Sequence, residues 1–99
     1  MTVRVRRSSG DVFRDLGFAP AEAENLKARS ALMIKAERLI ASRGWTQAAA
    51  AKAMGVTQPR ISDLVPGKID AFSVDGLIEM LGRAGVEVSF KTRDRKRVA

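Results

Sequence analysis

The segment that most narrows what this chain can become runs from Trp45 to Leu64, WTQAAAAKAMGVTQPRISDL. Counting Gln47 as the first position, alanine stands at the fifth (Ala51), glycine at the ninth (Gly55), isoleucine at the fifteenth (Ile61) and leucine at the eighteenth (Leu64). Each choice has a steric reason. Two helices that cross at a large angle leave room only for a small side chain where their axes approach, which is the place of Ala51. A turn of three or four residues needs a positive φ at Gly55, and glycine adopts it without steric cost. Ala50, Met54, Val56, Ile61 and Leu64 then form an apolar seam beneath the pair. The spacing predicts a helix capped by Thr46 and stopped by Gly55, then a second that opens at Thr57 or Gln58 and ends at Pro66-Gly67. Pro59 is tolerated near its start, because first-turn amides have no intrahelical acceptor.

The flanking sequence is also helical in character. Fifteen alanines, mostly between Ala19 and Ala53, favour helix through their intrinsic propensity. Pro20 suits a first-turn position, Glu22 and Glu24 complement the positive end of the dipole, and Arg43-Gly44 closes the far end. Between them Leu26, Met33, Ala36 and Ile40 recur at helical spacings, with Leu32 and Leu39 widening the stripe. Such a helix is a rod of roughly 34 Å, long enough for its N-terminal half to project toward a partner. Ser73 caps a further helix through about Ala84, with Val74, Leu77, Ile78 and Leu81 on its core face. Asp11 to Leu16 is expected to form one helical turn. At Val86-Glu87-Val88-Ser89-Phe90 the period changes to two, which predicts a half-buried strand. Its partner is either Thr2-Val3-Arg4-Val5-Arg6 or the same strand of a second subunit. The expected fold is therefore all-α: a compact four- to five-helix bundle, one short C-terminal β-strand, and basic terminal arms. The arms are residues 1–10 and 91–99, and the domain spans 11–90.

Composition removes several classes of function. With neither cysteine nor histidine, the chain has no disulfides, no thiolate metal site and no cysteine nucleophile, and it lacks the commonest general base. No catalytic constellation is visible, so an enzyme is not expected, nor is a cofactor. Asp70, Asp75 and Glu79 read more simply as capping and dipole residues than as a metal cluster. Met33, Met54 and Met80 read as core filler, and Trp45 as a core plug. No apolar run approaches a membrane span or a signal peptide, which points to the cytoplasm. The net charge is +7, and residues 15–90 are formally neutral: the first fourteen residues carry +3 and the last nine carry +4. Charge gathered on two arms suits a polyanionic partner, with nucleic acid the commonest.

The run TQAAAAKAMGVTQPRISDLVPGK resembles the Cro and phage-repressor (XRE) type of helix-turn-helix DNA-binding domain, over about residues 31–84. VFRDLGFAPAEAENLKARSALMIKAERLI and GVEVSF further resemble the HigA-like antitoxin subgroup and extend the resemblance to roughly 11–90. The resemblance implies a phage-repressor type bundle with its motif at 46–66 and a recognition helix at 58–65 lying in the major groove of double-stranded operator DNA. It implies that Gln47 holds a phosphate. Gln58 then suits bidentate adenine recognition, and Arg60 suits guanine or a phosphate. Thr57, Ser62 and Lys68 are the next candidates, with Lys68 on the backbone. Two departures stand out: Pro59 replaces a position where relatives often carry a polar base reader, and Asp63 puts a carboxylate on the exposed face.

Two functions follow from the resemblance. One is a homodimeric transcriptional repressor. The other is an antitoxin that neutralises a small RelE- or HigB-like toxin and represses its own operon. A stand-alone XRE-type or phage-derived repressor is the alternative to the antitoxin. A nonspecific nucleoid or RNA-binding protein fits less well, since it needs only the arms.

Overall fold

In a computed structural model of the chain, which describes residues 12–94, Pro20 opens a helix that runs unbroken to Arg43. This helix, α2, follows a single turn, α1 (Val12–Asp15), and precedes α3 (Gln47–Met54), α4 (Gln58–Ser62) and α5 (Val74–Arg83). A three-residue 3-10 turn, Ile69–Ala71, links α4 to α5. No helix among the described residues is long and apolar enough to cross a membrane.

The helix boundaries follow local chemistry. Gly44 takes the left-handed conformation, φ 65°, and its amide and that of Trp45 return to the carbonyls of Ala41 and Ile40 at 3.1 Å each. That double bond satisfies carbonyls the helix would otherwise orphan. The Thr46 side chain accepts from the Ala49 amide at 3.1 Å, and Ser73 does the same for Gly76 at the start of α5. Asp75, in the first turn of α5, takes a hydrogen bond from the Ser73 hydroxyl and others from its own amide and that of Gly76. Together they hold its carboxyl below the ordinary aspartate value.

α5 packs on α2 and α3, and α3 packs on α4. Met33, Ala36, Leu39, Ala50, Met54, Ile61, Leu64, Leu77, Met80 and Leu81 make one buried cluster. The three methionines expected as filler are all in or below 5% exposure. Ala51, at the crossing position, is also buried, and Trp45 is half-buried against the cluster with the Arg43 guanidinium 5.2 Å from its ring centroid. The N-terminal half of α2 does not stand bare. Ala23 and Leu26 are buried and α1 packs on α2, with Phe13 and Phe18 meeting edge to face.

The expected C-terminal strand is not formed. Among the described residues there is no strand, and 86–94 carry no regular structure. The alternation that suggested one has another cause. Val86 donates its amide to the Leu81 carbonyl, and Val86 and Val88 are half-buried against the helical core while Glu87 and Ser89 face water. An extended segment laid on helices shows the same period of two as a strand in a sheet, without needing a ladder. Residues 2–6, one expected partner, and the arm at 1–10 lie outside the described residues, as do residues 95–99 of the C-terminal arm.

Candidate nucleic-acid interface

Gln47 is the first residue of α3 and is exposed beside its Thr46 cap. Gly55 ends α3 with φ 71°, and the amides of Gly55 and Val56 both return to the Ala51 carbonyl. The side chain of Arg83, reaching over from α5, covers this turn. A Cβ at Gly55 would lie 2.6 Å from Cδ of the exposed Arg83 side chain, which can move aside, so it is the positive φ that calls for glycine at position 55.

α4 turns its apolar side inward. Ile61 and Leu64 are 3% and 2% exposed, whereas Thr57, Gln58, Pro59, Arg60 and Ser62 are all exposed. At about 100° per residue, Pro59 points most directly away from Ile61, Gln58 and Ser62 share one flank, and Arg60 lies on the other. Thr57 occupies the N-cap position, yet unlike Thr46 and Ser73 its hydroxyl accepts no capping hydrogen bond from the helix.

The recognition helix is shorter than the expected span of 58–65. The α-helix stops at Ser62, and residues 63–67 tighten into turns. The i→i−4 ladder ends with the Asp63 amide on the Pro59 carbonyl, and Pro66, which has no amide, could not resume it at Ser62. Leu64 bonds instead to Ile61 at 3.0 Å, and the amides of Gly67 and Lys68 close back onto Leu64 and Asp63 at 3.0 and 3.1 Å.

A model of the helix-turn-helix domain family matches residues 12–93. The chain belongs to this family. No curated protein shows a significant match to it. The helix-turn-helix domain implies DNA binding and suggests a regulator.

Within this helix-turn-helix domain, the six residues singled out from the sequence divide into two groups. Gln47, Thr57, Gln58 and Ser62 are exposed on α3, α4 and the cap between them. Arg60 and Lys68 are exposed but engaged. Arg60 donates from Nη1 to the Ala71 carbonyl at 2.6 Å, and its guanidinium carbon lies 5.0 Å from the centroid of the buried Phe72 ring. Lys68 Nζ lies 3.5 Å from Asp63 Oδ1. That pair is largely exposed on the lysine side, and such pairs are worth at most about 1 kcal/mol, so a phosphate can draw Lys68 away. Asp63, expected on the exposed face, is half-buried and faces Lys68.

Sequence reasoning did not find the 3-10 turn or what holds it. Arg29, from α2, donates Nη1 to the Ile69 carbonyl at 3.1 Å and Nη2 to the Asn25 side chain. Two arginines, forty and eleven residues distant from their acceptors, thus grip the same turn from opposite sides. No spacing rule in the sequence pairs residues so far apart.

Proposed function

We propose that the protein is a sequence-specific transcriptional repressor that binds operator DNA as a homodimer, and that it is the antitoxin of a type II toxin–antitoxin pair controlling its own operon. The observation that carries the DNA reading is the division of α4: Ile61 and Leu64 buried, with Thr57, Gln58 and Ser62 exposed on a helix set against α3 by a glycine turn. Gln58 offers its amide to adenine N6 and N7, and Ser62 suits either a base edge or a phosphate. Gln47, Thr57 and Lys68 serve the phosphates on either side.

These roles separate experimentally. Duplexes selected from a randomised pool by the full chain provide the specific ligand, and a scrambled duplex the nonspecific one. Gln58→Ala should weaken specific binding by about 1–3 kcal/mol and relax base preference locally. Gln47→Ala and Lys68→Ala should lower affinity for both duplexes by the same factor. Full affinity and full discrimination in Gln58→Ala would mean that α4 is not the recognition helix.

The dimer is supported by the segment after α5. Phe90 is 69% exposed there, and residues 86–94 carry no regular structure. Two copies would present their recognition helices about 34 Å apart to a pseudo-palindromic site. Because Val88 is already packed on its own core, Phe90→Lys is the cleaner probe. It should lower the mass seen by light scattering at tens of micromolar and leave a melting temperature that no longer rises with protein concentration. A wild-type chain that stays monomeric with and without DNA is incompatible with this arrangement.

The antitoxin reading is supported by an open cleft of about 300 Å³ between α2 and the turn after α4, where Phe13, Met33, Ile34 and Val65 present apolar surface. Ile34 and Val65 are 42% and 69% exposed. Co-purification with the product of the adjacent reading frame, a small RelE- or HigB-like toxin, is the decisive observation. An operon without such a neighbour makes the protein a stand-alone repressor.

A further inference from the structure

We infer that Pro59 is a specificity-determining residue that packs on the C5-methyl of thymine, and that Arg60 is a positioning residue withheld from the bases, so that α4 selects thymine and does not read guanine. This rests on the DNA-binding reading above and specifies what that surface recognises.

Guanine is recognised by a cation that offers two donors to O6 and N7. Among the described residues three cations stand near α4: Arg60, Lys68 and Arg83, the last lying over the turn at Gly55 and paired with Glu79 at 3.0 Å. The Arg60 guanidinium is spent on the Ala71 carbonyl and on the face of Phe72, a charge-assisted bond and a cation–π contact that must both break before it could reach a base. Its acceptor is itself fixed, because Arg29 ties the same 3-10 turn to α2. Lys68 lies beyond the closing turn of α4, where it serves a phosphate, and Asp63 is half-buried on the same side.

What remains on the outward side of α4 is Gln58, Pro59 and Ser62. Pro59 points most directly outward and is exposed, and its ring offers carbon only, with no donor or acceptor. In the major groove the one apolar feature that a base presents is the thymine methyl. A ring placed there gains contact with thymine and leaves the polar edges of guanine and cytosine without partners, which disfavours them. Arg60 contributes indirectly: by clamping α4 to the 3-10 turn, it sets how far that ring projects.

The test uses the full chain and duplexes selected from a randomised pool. The enriched half-site should contain a thymine whose replacement by deoxyuridine, which removes only the methyl, lowers wild-type affinity about fivefold. In Pro59→Ala that replacement should change affinity less than twofold, since the ring that senses the methyl is gone. Arg60→Ala, and Arg60→Lys, which keeps charge but loses the planar fork, should weaken binding to the selected sites and shrink the preference for thymine over deoxyuridine, without removing any preference for guanine. Phe72→Leu alters a buried residue that cannot touch DNA, and it should copy that pattern at temperatures well below its melting point. A selected guanine whose preference vanishes in Arg60→Ala would overturn the assignment while leaving DNA recognition intact, as would indifference of the wild type to deoxyuridine. If the wild type enriches no sequence at all, the sequence-specific reading itself falls, and the base assignment with it.

Discussion

Replacing Leu77 with alanine is expected to remove about 2–5 kcal/mol of unfolding free energy. Leu77 is fully buried on the face of α5 that meets α2 and α3. The same cluster contains Ala36, Ala50 and Ala51, which have no side-chain freedom with which to fill a hole. The cavity should therefore persist, and persistence places the loss toward the upper part of that range. A domain of this size has a total stability of about 5–15 kcal/mol, so one substitution removes a large share of it. Urea titration should show a lower midpoint with an unchanged slope, because the surface exposed on unfolding hardly differs. A loss below about 1 kcal/mol would mean that the helices do not meet at this point.

Removing residues 92–99 should produce the largest change in DNA affinity. The segment carries Arg93, Arg95, Lys96 and Arg97 against Asp94, while residues 15–90 are formally neutral. A neutral body can dock a recognition helix correctly and still bind weakly, since counterion release at phosphates supplies most nonspecific affinity. If three of these cations each meet a phosphate, the slope of log affinity against log salt should flatten by about three and affinity near 0.1 M salt should fall roughly a hundredfold or more. Operator and random DNA should lose by similar factors, because phosphates carry no direct sequence information. Residues 92–94 are exposed, which leaves the segment accessible from its first residues. An unchanged salt slope after the deletion would reduce the tail to a solubilising extension. Should the proposed toxin partner co-purify with the full chain, its loss on this deletion with DNA binding intact would assign the tail to that partner.

Much of the architecture was legible because the chemistry that sets it is local. Thr46 and Ser73 act on amides three residues ahead, and Gly44 and Gly55 act on carbonyls three or four behind. A reader of the sequence has each signal and its target within one turn. The alternation at 86–90 misled for the same reason. A period of two reports which side chains are covered, and it is silent about whether helices or strands cover them. The end of α4 falls earlier than Pro66-Gly67 suggests, because Leu64 already closes back onto Ile61 and the chain tightens into turns from Asp63 onward. The engagement of Arg60 was out of reach altogether. Its partners, Ala71 and Phe72, belong to a 3-10 turn with no signature in the sequence, and an exposed arginine next to Gln58 looks like any other reader of bases.

The brevity of α4 has a consequence for how such a protein can change over generations. Five residues are too few for a helix to hold its own shape in water. The shape comes from Ile61 and Leu64 beneath and from Arg60 at the side, while Gln58, Pro59 and Ser62 contribute almost nothing to folding. If Gln58, Pro59 and Ser62 select the DNA as proposed, the residues that keep the domain standing and those that choose its target are different residues on one short element. Drift at the three outward positions would then retarget the protein while the scaffold stays folded, and regulatory wiring would diverge faster than the fold that carries it.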